Sequence, residues 1–321
     1  MSKKTILVTG ASGFVGHALV QSLCKNEYDV RATVRSESGA ASIRAMPLTN
    51  KPTVYNLGEL NETTDWDEAL QSCDTVIHCA ARAHVLKEIS SNPYDIYRQI
   101  NTRVTEHLAM EAHRHGVRRF IFLSSVGVLG HNSGDTPFND DSPPNPESPY
   151  ATAKWEAEQC LLAMPTNMDR IIIRPPVVYG PGVKGNFGRL ISWVNRALPL
   201  PLGAIRNKRQ FIGLENLVDF ILTCIEPKAL INETFLIADK DTLSTTEWLQ
   251  QIASVMGKRS LLIPIPHNLL AWALTWVGQS KLAGQLLGNL EIQSNKAQRL
   301  LGWEPPYSMH EQMLTVSKHS T

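Results

Sequence analysis

The apolar positions in the first half of the chain alternate between two patterns. Short, nearly unbroken apolar runs recur at Thr5–Thr9, Asp29–Val34, Thr53–Leu57, Thr75–Cys79 and Phe120–Ser124, as expected of strands buried on both faces. Between them stand stretches with helical spacing. Phe14–Asn26 begins just after the first run, and Asn92-Pro93 opens a long helix with proline in its first turn. Ile96, Ile100, Val104 and Leu108 mark the inner face of that helix, and Gly116 stops it. A proline-rich loop from Ser142 to Pro149 delivers Tyr150 onto another helix, and Ile171–Arg174 is a further strand. This alternation predicts an α/β fold with a doubly wound parallel sheet. After Pro175-Pro176 the pattern loosens into loops and short helices.

Composition narrows the reading. With 43% hydrophobic residues the chain can build a core. Lys plus Arg number 31 against 30 for Asp plus Glu, which argues against nucleic acid or an acidic membrane surface as the main partner. The five cysteines form no C-x-x-C pair and no metal spacing, so a reducing, cytoplasmic setting is expected. Met1-Ser2-Lys3-Lys4 and the few apolar residues before Gly10 do not form a signal peptide. The most apolar late stretch, Leu261–Val277, is cut by Pro264, Pro266, His267 and Asn268. The remaining ~10 residues are too short to span a bilayer. No integral membrane segment is expected, and this stretch and the late tryptophans are read as packing elements. His107, His113 and His115 share one helix without a carboxylate or cysteine constellation, so no metal is expected. Arg118-Arg119 reads as a solvated turn.

Thr9-Gly10-Ala11-Ser12-Gly13-Phe14-Val15-Gly16 follows a strand and opens a helix. Gly10 permits the tight turn, Gly13 lets backbone approach a pyrophosphate, and Gly16 allows close helix–strand packing. The helix N-terminus offers amides and positive dipole to phosphate. Gly10, Ser12, Gly13, Phe14, Val15 and Gly16 are therefore candidate dinucleotide contacts. The organisation expected is a Rossmann-like NAD(P)-binding domain over residues 1–174. A smaller substrate-binding lobe over 175–321 follows, with some segments returning to the first domain. The end of the second strand reads Val34-Arg35-Ser36, with no Asp or Glu to accept ribose hydroxyls. An arginine there suits a 2′-phosphate, so Arg35 makes NADP(H) the preferred cofactor and NAD(H) the alternative.

Tyr150 and Lys154 are four apart and share a helix face. Ser124-Ser125 ends the fifth strand, at the carboxyl edge where α/β sheets bind ligands. The set suits hydride exchange at an alcohol or ketone, whose oxygen must lose or gain a proton. A free tyrosine titrates near 10, and a neighbouring Lys⁺ and nicotinamide charge are expected to lower it. Lys154 is also placed to bond the nicotinamide ribose. A serine hydroxyl holds the substrate oxygen.

With these residues in place, TGASGFVG, His78-Cys79-Ala80-Ala81, Asn101, LSSVGVLG, SPYATAK and RPPVVYGPG follow one another in order. The chain resembles, over nearly its whole length, the extended short-chain dehydrogenases/reductases of the nucleotide-sugar epimerase/dehydratase group. The resemblance implies Ser125 as catalytic serine with Ser124 beside it, Tyr150 as acid/base and Lys154 as its partner. It also implies a cofactor bordered by Ala80 and Ala81, and gives Asn101 the role of shaping its helix. Val128-Leu129-Gly130 stands where the group often has Val-Tyr-Gly, a packing change. Val126-Gly127 stands where dehydratases carry an Asp-Glu pair, which argues against dehydration.

On the substrate side, Arg209-Gln210-Phe211-Ile212-Gly213 resembles the segment whose arginine contacts the diphosphate of a nucleotide sugar, and Asn186 stands where the group places an asparagine on it. Arg206 and Lys208 add positive charge. The group often dimerises through the long helix and the Tyr150 helix, so a homodimer is an expectation. Two reactions share this constellation. The preferred reading is NADPH-dependent reduction of the C4 ketone of a UDP-4-keto-6-deoxy-hexosamine. Arg35 favours it, as does a resemblance to surface-polysaccharide enzymes related to UDP-N-acetylquinovosamine 4-reductases. The alternative is a 4-epimerase that retains NAD⁺. A third, non-catalytic NADP-sensing regulator, is opposed by the intact Ser125, Tyr150 and Lys154.

Overall fold

The computed structural model describes residues 3–83, 93–183, 185–226, 232–276, 278 and 280–318. The chain forms two compact units. The first comprises Met1–Val128, Pro144–Arg174 and Val218–Phe235, and the second Leu129–Pro143, Pro175–Leu217 and Leu236–Thr321.

The first unit is built on β1 (Thr5–Thr9), β2 (Asp29–Val34), β3 (Thr53–Asn56), β4 (Thr75–His78), β5 (Arg119–Leu123) and β6 (Asp169–Arg174). With Glu233–Leu236 at one edge, the seven strands run Glu233–Leu236, β6, β5, β4, β1, β2, β3. The pairs β1–β2, β2–β3, β1–β4, β4–β5 and β5–β6 are all parallel. The winding reverses between β1 and β4, so their carboxyl ends, at Gly10 and Ala80, flank the crevice where such sheets take ligands.

Helices cover the sheet: α1 (Phe14–Lys25), α2 (Glu37–Arg44), α3 (Asp67–Leu70), α4 (Pro93–Arg98), α5 (Val104–Arg114) and α6 (Pro149–Ala163). Every residue of β1 is buried, as the unbroken apolar run requires. On one face Leu7, Val76, Phe120, Phe122 and Ile172 pack with Leu108 of α5 and Leu161 of α6.

The long helix expected after Asn92 is not continuous. Between α4 and α5 it widens into a π-turn, Gln99–Arg103, that buries Asn101 and Thr102. Such turns insert one extra residue and are frequent at functional sites. A second correction concerns Arg119. It is 6% exposed, donating through Nη1 to Cys224 O and Ile225 O at 2.8 Å each and through Nη2 to Asp169 at 2.9 Å. It thus ties β5 to the carbonyl end of a helix. Arg118 alone lies outside, paired with Asp74.

The second unit holds α7 (Gly185–Asn195), the first residues of α8 (Leu214–Thr223, whose remainder belongs to the first unit), α9 (Thr245–Val255) and α10 (His267–Trp276). Phe211 stacks on Trp248 at 5.2 Å, and Phe187 meets Trp248 edge-on at 5.2 Å. Buried Asp239 accepts from Tyr179 (2.7 Å), Gly213 N (3.0 Å) and Asn216 (2.7 Å). Those bonds gather Tyr179, Gly213 and the first turn of α8 around one carboxylate. Trp248 and Trp303 are packing residues as expected, but Trp272 and Trp276 are 64% and 79% exposed. Among the described residues no helix is long and apolar enough to cross a membrane.

Candidate active site

The glycine turn leaves no room for side chains. Gly10 has φ +65°, and a Cβ there would lie 2.8 Å from the Ala80 backbone. A Cβ on Gly16 would lie 2.3 Å from Gly10 O. β1, the turn and the start of α1 are thereby pressed against the chain leaving β4. Gly13 N donates to Gly10 O at 2.9 Å. Gly13 is the N-cap of α1, its first turn holds no acidic residue, and no side chain caps it. These N-terminal amides need an acceptor, and a pyrophosphate is one they fit. Ser12 and Gly13 are exposed, Phe14 and Val15 half-buried and Gly16 buried. Ala80 is half-buried and Ala81 exposed.

Arg35 is exposed at the carboxyl end of β2. Ser36 caps α2 by accepting from Gly39 N at 3.2 Å. A Cβ on Gly39 would stand 3.0 Å from Ser12 Oγ, so the start of α2 borders the glycine turn. The neighbouring carboxylate, Glu37, pairs with Arg44 at 2.7 Å. The arrangement can hold a dinucleotide, with Arg35 and the Ser36–Ser38 turn near its adenosine end.

The two serines separate. Ser125 is half-buried, and its Oγ accepts from Gly127 N at 3.1 Å. Ser124, expected among the substrate contacts, is instead 3% exposed and gives its hydroxyl to Glu158. Val126–Val128 forms a buried 3-10 turn, so an apolar wall stands where a dehydratase acid/base pair would be.

Tyr150 and Lys154 lie one turn apart on α6, started by Ser148, whose Oγ accepts from Ala151 N at 3.2 Å. The Tyr150 ring meets Tyr97 edge-on at 6.3 Å. Burial pushes its phenol up to about 12, and Tyr97 adds to the effect. This is opposite to the lowering expected from Lys154, because desolvation of the phenolate dominates. Lys154 is 1% exposed. Its Nζ donates to Leu123 O at 2.8 Å and lies 4.3 Å from the centre of the Phe122 ring. Burial brings its ammonium down to about 8, with Cys79 and Glu158 opposing the shift.

Three features beneath these residues escaped the sequence reading. Glu158, fully buried, joins Ser124 to Arg174, whose Nε lies 3.1 Å away. Asn101 clamps the chain after β4, accepting from Arg82 N at 2.8 Å and donating to Arg82 O at 3.1 Å. Next to it, Thr102 donates to Ala153 O at 2.9 Å. The π-turn thus links the Ala80 loop to the helix of Tyr150 and Lys154.

Third, His78 is fully buried between Thr9 (2.7 Å) and Thr105 (2.9 Å). Burial, aided by Lys154, lowers its imidazolium to about 3 from an ordinary 6.5. The folded state therefore keeps His78 neutral where the unfolded chain would already bind a proton. Its stabilising contribution is complete above pH 6.5 and is lost as pH falls toward 3, on the order of 5 kcal/mol in all. Urea unfolding measured between pH 7 and 4.5 should show stability falling with acidification. In His78→Asn the slope should be smaller by close to one proton. The histidine cluster also differs from expectation, since His115 Nε2 lies 3.3 Å from Asp67. The second carboxylate near it, Glu111, is engaged by Arg114 at 2.7 Å.

In the second unit a cavity of about 610 Å³ is lined by Asn132, Asp135, Arg206, His267, Gly284 and Gly288, among others. Arg209 touches this wall, its Nη1 donating to Gly288 O at 2.8 Å. It is 3% exposed, its Nε has no partner among the described residues, and burial lowers its guanidinium to about 10. A buried cation paired only with a carbonyl is poised for an anion. Lys208 turns to Glu291 at 3.7 Å. Asn186 falls in the first turn of α7, and its side chain lies outside the described residues.

Comparison with known proteins agrees with this geometry. Residues 6–238 match the NAD dependent epimerase/dehydratase family. A UDP-glucose 4-epimerase of Vibrio cholerae is 38% identical over 315 residues, 96% of this chain and 93% of its own length. An Escherichia coli O157:H7 protein, N-acetyl-alpha-D-glucosaminyl-diphospho-ditrans,octacis-undecaprenol 4-epimerase, is 26% identical over 83% of this chain and 77% of its own. The crystal structure of the UDP-glucuronic acid 4-epimerase from Bacillus cereus, in complex with UDP-glucuronic acid and NAD, has a TM-score of 0.78 at 25% identity. It covers 98% of both chains. These relatives favour the epimerase reading over the reductase reading and do not bear out a preference for NADP. The chain belongs to the NAD dependent epimerase/dehydratase family, within the extended short-chain dehydrogenases/reductases.

Proposed function

We propose that the protein is a nucleotide-sugar 4-epimerase that keeps its nicotinamide cofactor through the catalytic cycle. The observation that carries the chemistry is Ser125, Tyr150 and Lys154 gathered where β5 and α6 meet, in the same unit as an uncapped glycine turn. That epimerisation, rather than reduction, is the outcome is supported by the Vibrio cholerae relative. Bound at the glycine turn, a nicotinamide dinucleotide supplies reversible hydride exchange at the sugar C4. The chain's own residues handle the oxygen. Ser125 donates to the C4 oxygen and fixes its place. Tyr150 takes the hydroxyl proton as the carbinol becomes a ketone and returns it when the carbinol re-forms. Lys154 supplies the positive charge that favours the phenolate. The sugar enters as a diphosphate ester, met by Arg209 and by Arg206 on the cavity wall. The Escherichia coli relative's substrate is also a diphosphate ester, there of a polyprenol, so the diphosphate is the shared recognition element.

Epimerisation needs no added cofactor, and that gives the test. The purified protein, with no nucleotide supplied, should interconvert UDP-glucose or UDP-N-acetylglucosamine with its C4 epimer. Denaturation should release close to one nicotinamide nucleotide per chain. An empty protein that leaves UDP-sugars untouched but oxidises NADPH in the presence of a UDP-4-keto-6-deoxy sugar would instead establish the reductase. That second reading draws on one observation, exposed Arg35 at a β2 end without a carboxylate. Arg209→Met keeps the side-chain volume and removes the charge. It should raise KM for the UDP-sugar ~10-fold or more with kcat little changed, the mark of lost uniform binding.

A further inference from the structure

We infer that the outer face of α10 is a docking face for an anionic membrane surface, with Trp272 and Trp276 as the inserting side chains. The helix is apolar on both sides. Leu270, Ala271 and Leu274 pack inward on the core of the second unit. Leu269, Trp272 and Trp276 fall three and four apart on the other side and are 52%, 64% and 79% exposed. The two indoles stack with centroids 6.3 Å apart and planes 13° from parallel. Large apolar side chains gathered on an exposed helix face mark a surface that is covered in use. This helix carries no charged residue at all. Just before it, Leu261 and Ile263 are 46% and 47% exposed.

The surrounding charge says what the cover is. Between Glu247 and Glu291 the chain has no aspartate or glutamate. Lys258 and Arg259 are both exposed beside the aliphatic pair. A net charge of +1 for the whole chain hides this local asymmetry. Indole rings settle at the headgroup level of bilayers, and basic residues beside an amphipathic helix are attracted to anionic headgroups. A second copy of the chain is a poorer fit. In a two-fold contact the same patch lies on both sides, so Lys258 and Arg259 would confront their own likeness, and the segment between Glu247 and Glu291 offers no carboxylate to meet them. The face goes beyond the catalytic proposal and does not depend on it.

The full chain is mixed with vesicles of phosphatidylcholine and phosphatidylglycerol, and separately with phosphatidylcholine alone. Binding is read by co-sedimentation, and insertion by quenching of tryptophan fluorescence with brominated acyl chains. The wild type should bind the anionic vesicles at least ~10-fold more tightly, with added salt reversing the preference. Trp272→Ala/Trp276→Ala should lose the quenching and most of the binding. Lys258→Glu/Arg259→Glu should lose the preference for anionic lipid. No binding to either vesicle, or binding that the double tryptophan variant retains, overturns the inference. So does sedimentation velocity showing a dimer that the tryptophan variant dissolves, which would give the face to a second copy. UDP-sugar turnover, followed in the same preparations without vesicles, reports on the catalytic proposal alone.

Discussion

Tyr150→Phe should lower turnover roughly a thousandfold, the scale of a lost general acid/base, while leaving the fold and the retained nucleotide in place. The side chain is nearly the same size, and its hydroxyl makes no hydrogen bond among the described residues. Its removal therefore leaves no stranded partner, and the unfolding free energy should change by no more than the ~0.5 kcal/mol of a neutral substitution. The pH profile gives a second handle. Burial holds the phenol near 12, while Lys154 is held near 8. The basic form of Tyr150 is therefore scarce at neutral pH, and wild-type kcat should rise as pH rises until that group or Lys154 limits it. Residual activity in Tyr150→Phe should lose the limb owed to Tyr150. Turnover within tenfold of wild type would show that another group carries the proton.

The parts of this site that were legible in the sequence are those where geometry leaves one residue type. Gly10 and Gly16 admit no Cβ, so strand, glycines and helix are written into the chain. Tyr150 and Lys154 were legible because a helix repeats every 3.6 residues. The buried charges were not. Glu158 sits in a helix whose sequence marks no clear buried face, and nothing local says that Arg174, at the end of another element, will meet it. Only the family resemblance singled out Ser125; the residues alone did not set it apart from Ser124. Which of two adjacent serines turns inward depends on the pleat of β5 and on a carboxylate thirty-four residues later. Arg119 was misjudged because two of its partners are main-chain carbonyls, which any sequence supplies, and the carboxylate of Asp169 comes from the neighbouring strand. The π-turn was hidden because Ile96, Ile100, Val104 and Leu108 keep a helical spacing across it. Trp272 and Trp276 show the opposite failure: apolar residues were assigned to a core that had no room for both faces of one helix.

Glu158 carries the largest expected effect on stability. Its carboxylate, fully buried, accepts from Ser124 Oγ and from two nitrogens of Arg174, which is itself 8% exposed. Glu158→Ala would leave that guanidinium buried without a counter-charge and Ser124 without an acceptor. Breaking one side of such a pair costs about 3–5 kcal/mol, a large part of the 5–15 kcal/mol that typically holds a domain together. The melting temperature should fall by ~10 °C. Removing both charges should be far milder, because the desolvation of the pair disappears with its attraction. Glu158→Leu/Arg174→Met should thus recover most of the loss, and a double variant no better than the single would mean that packing, not charge, sets the cost. The recovered variant also separates stability from function. Glu158 is one turn beyond Lys154 and opposes the lowering of its ammonium by burial. Without it, Lys154 should lose its proton at lower pH, and the alkaline fall in kcat should begin correspondingly earlier. A double variant with wild-type stability and an unshifted alkaline limb would confine Glu158 to the fold. A shifted limb would make it the residue that keeps Lys154 charged while Tyr150 exchanges its proton.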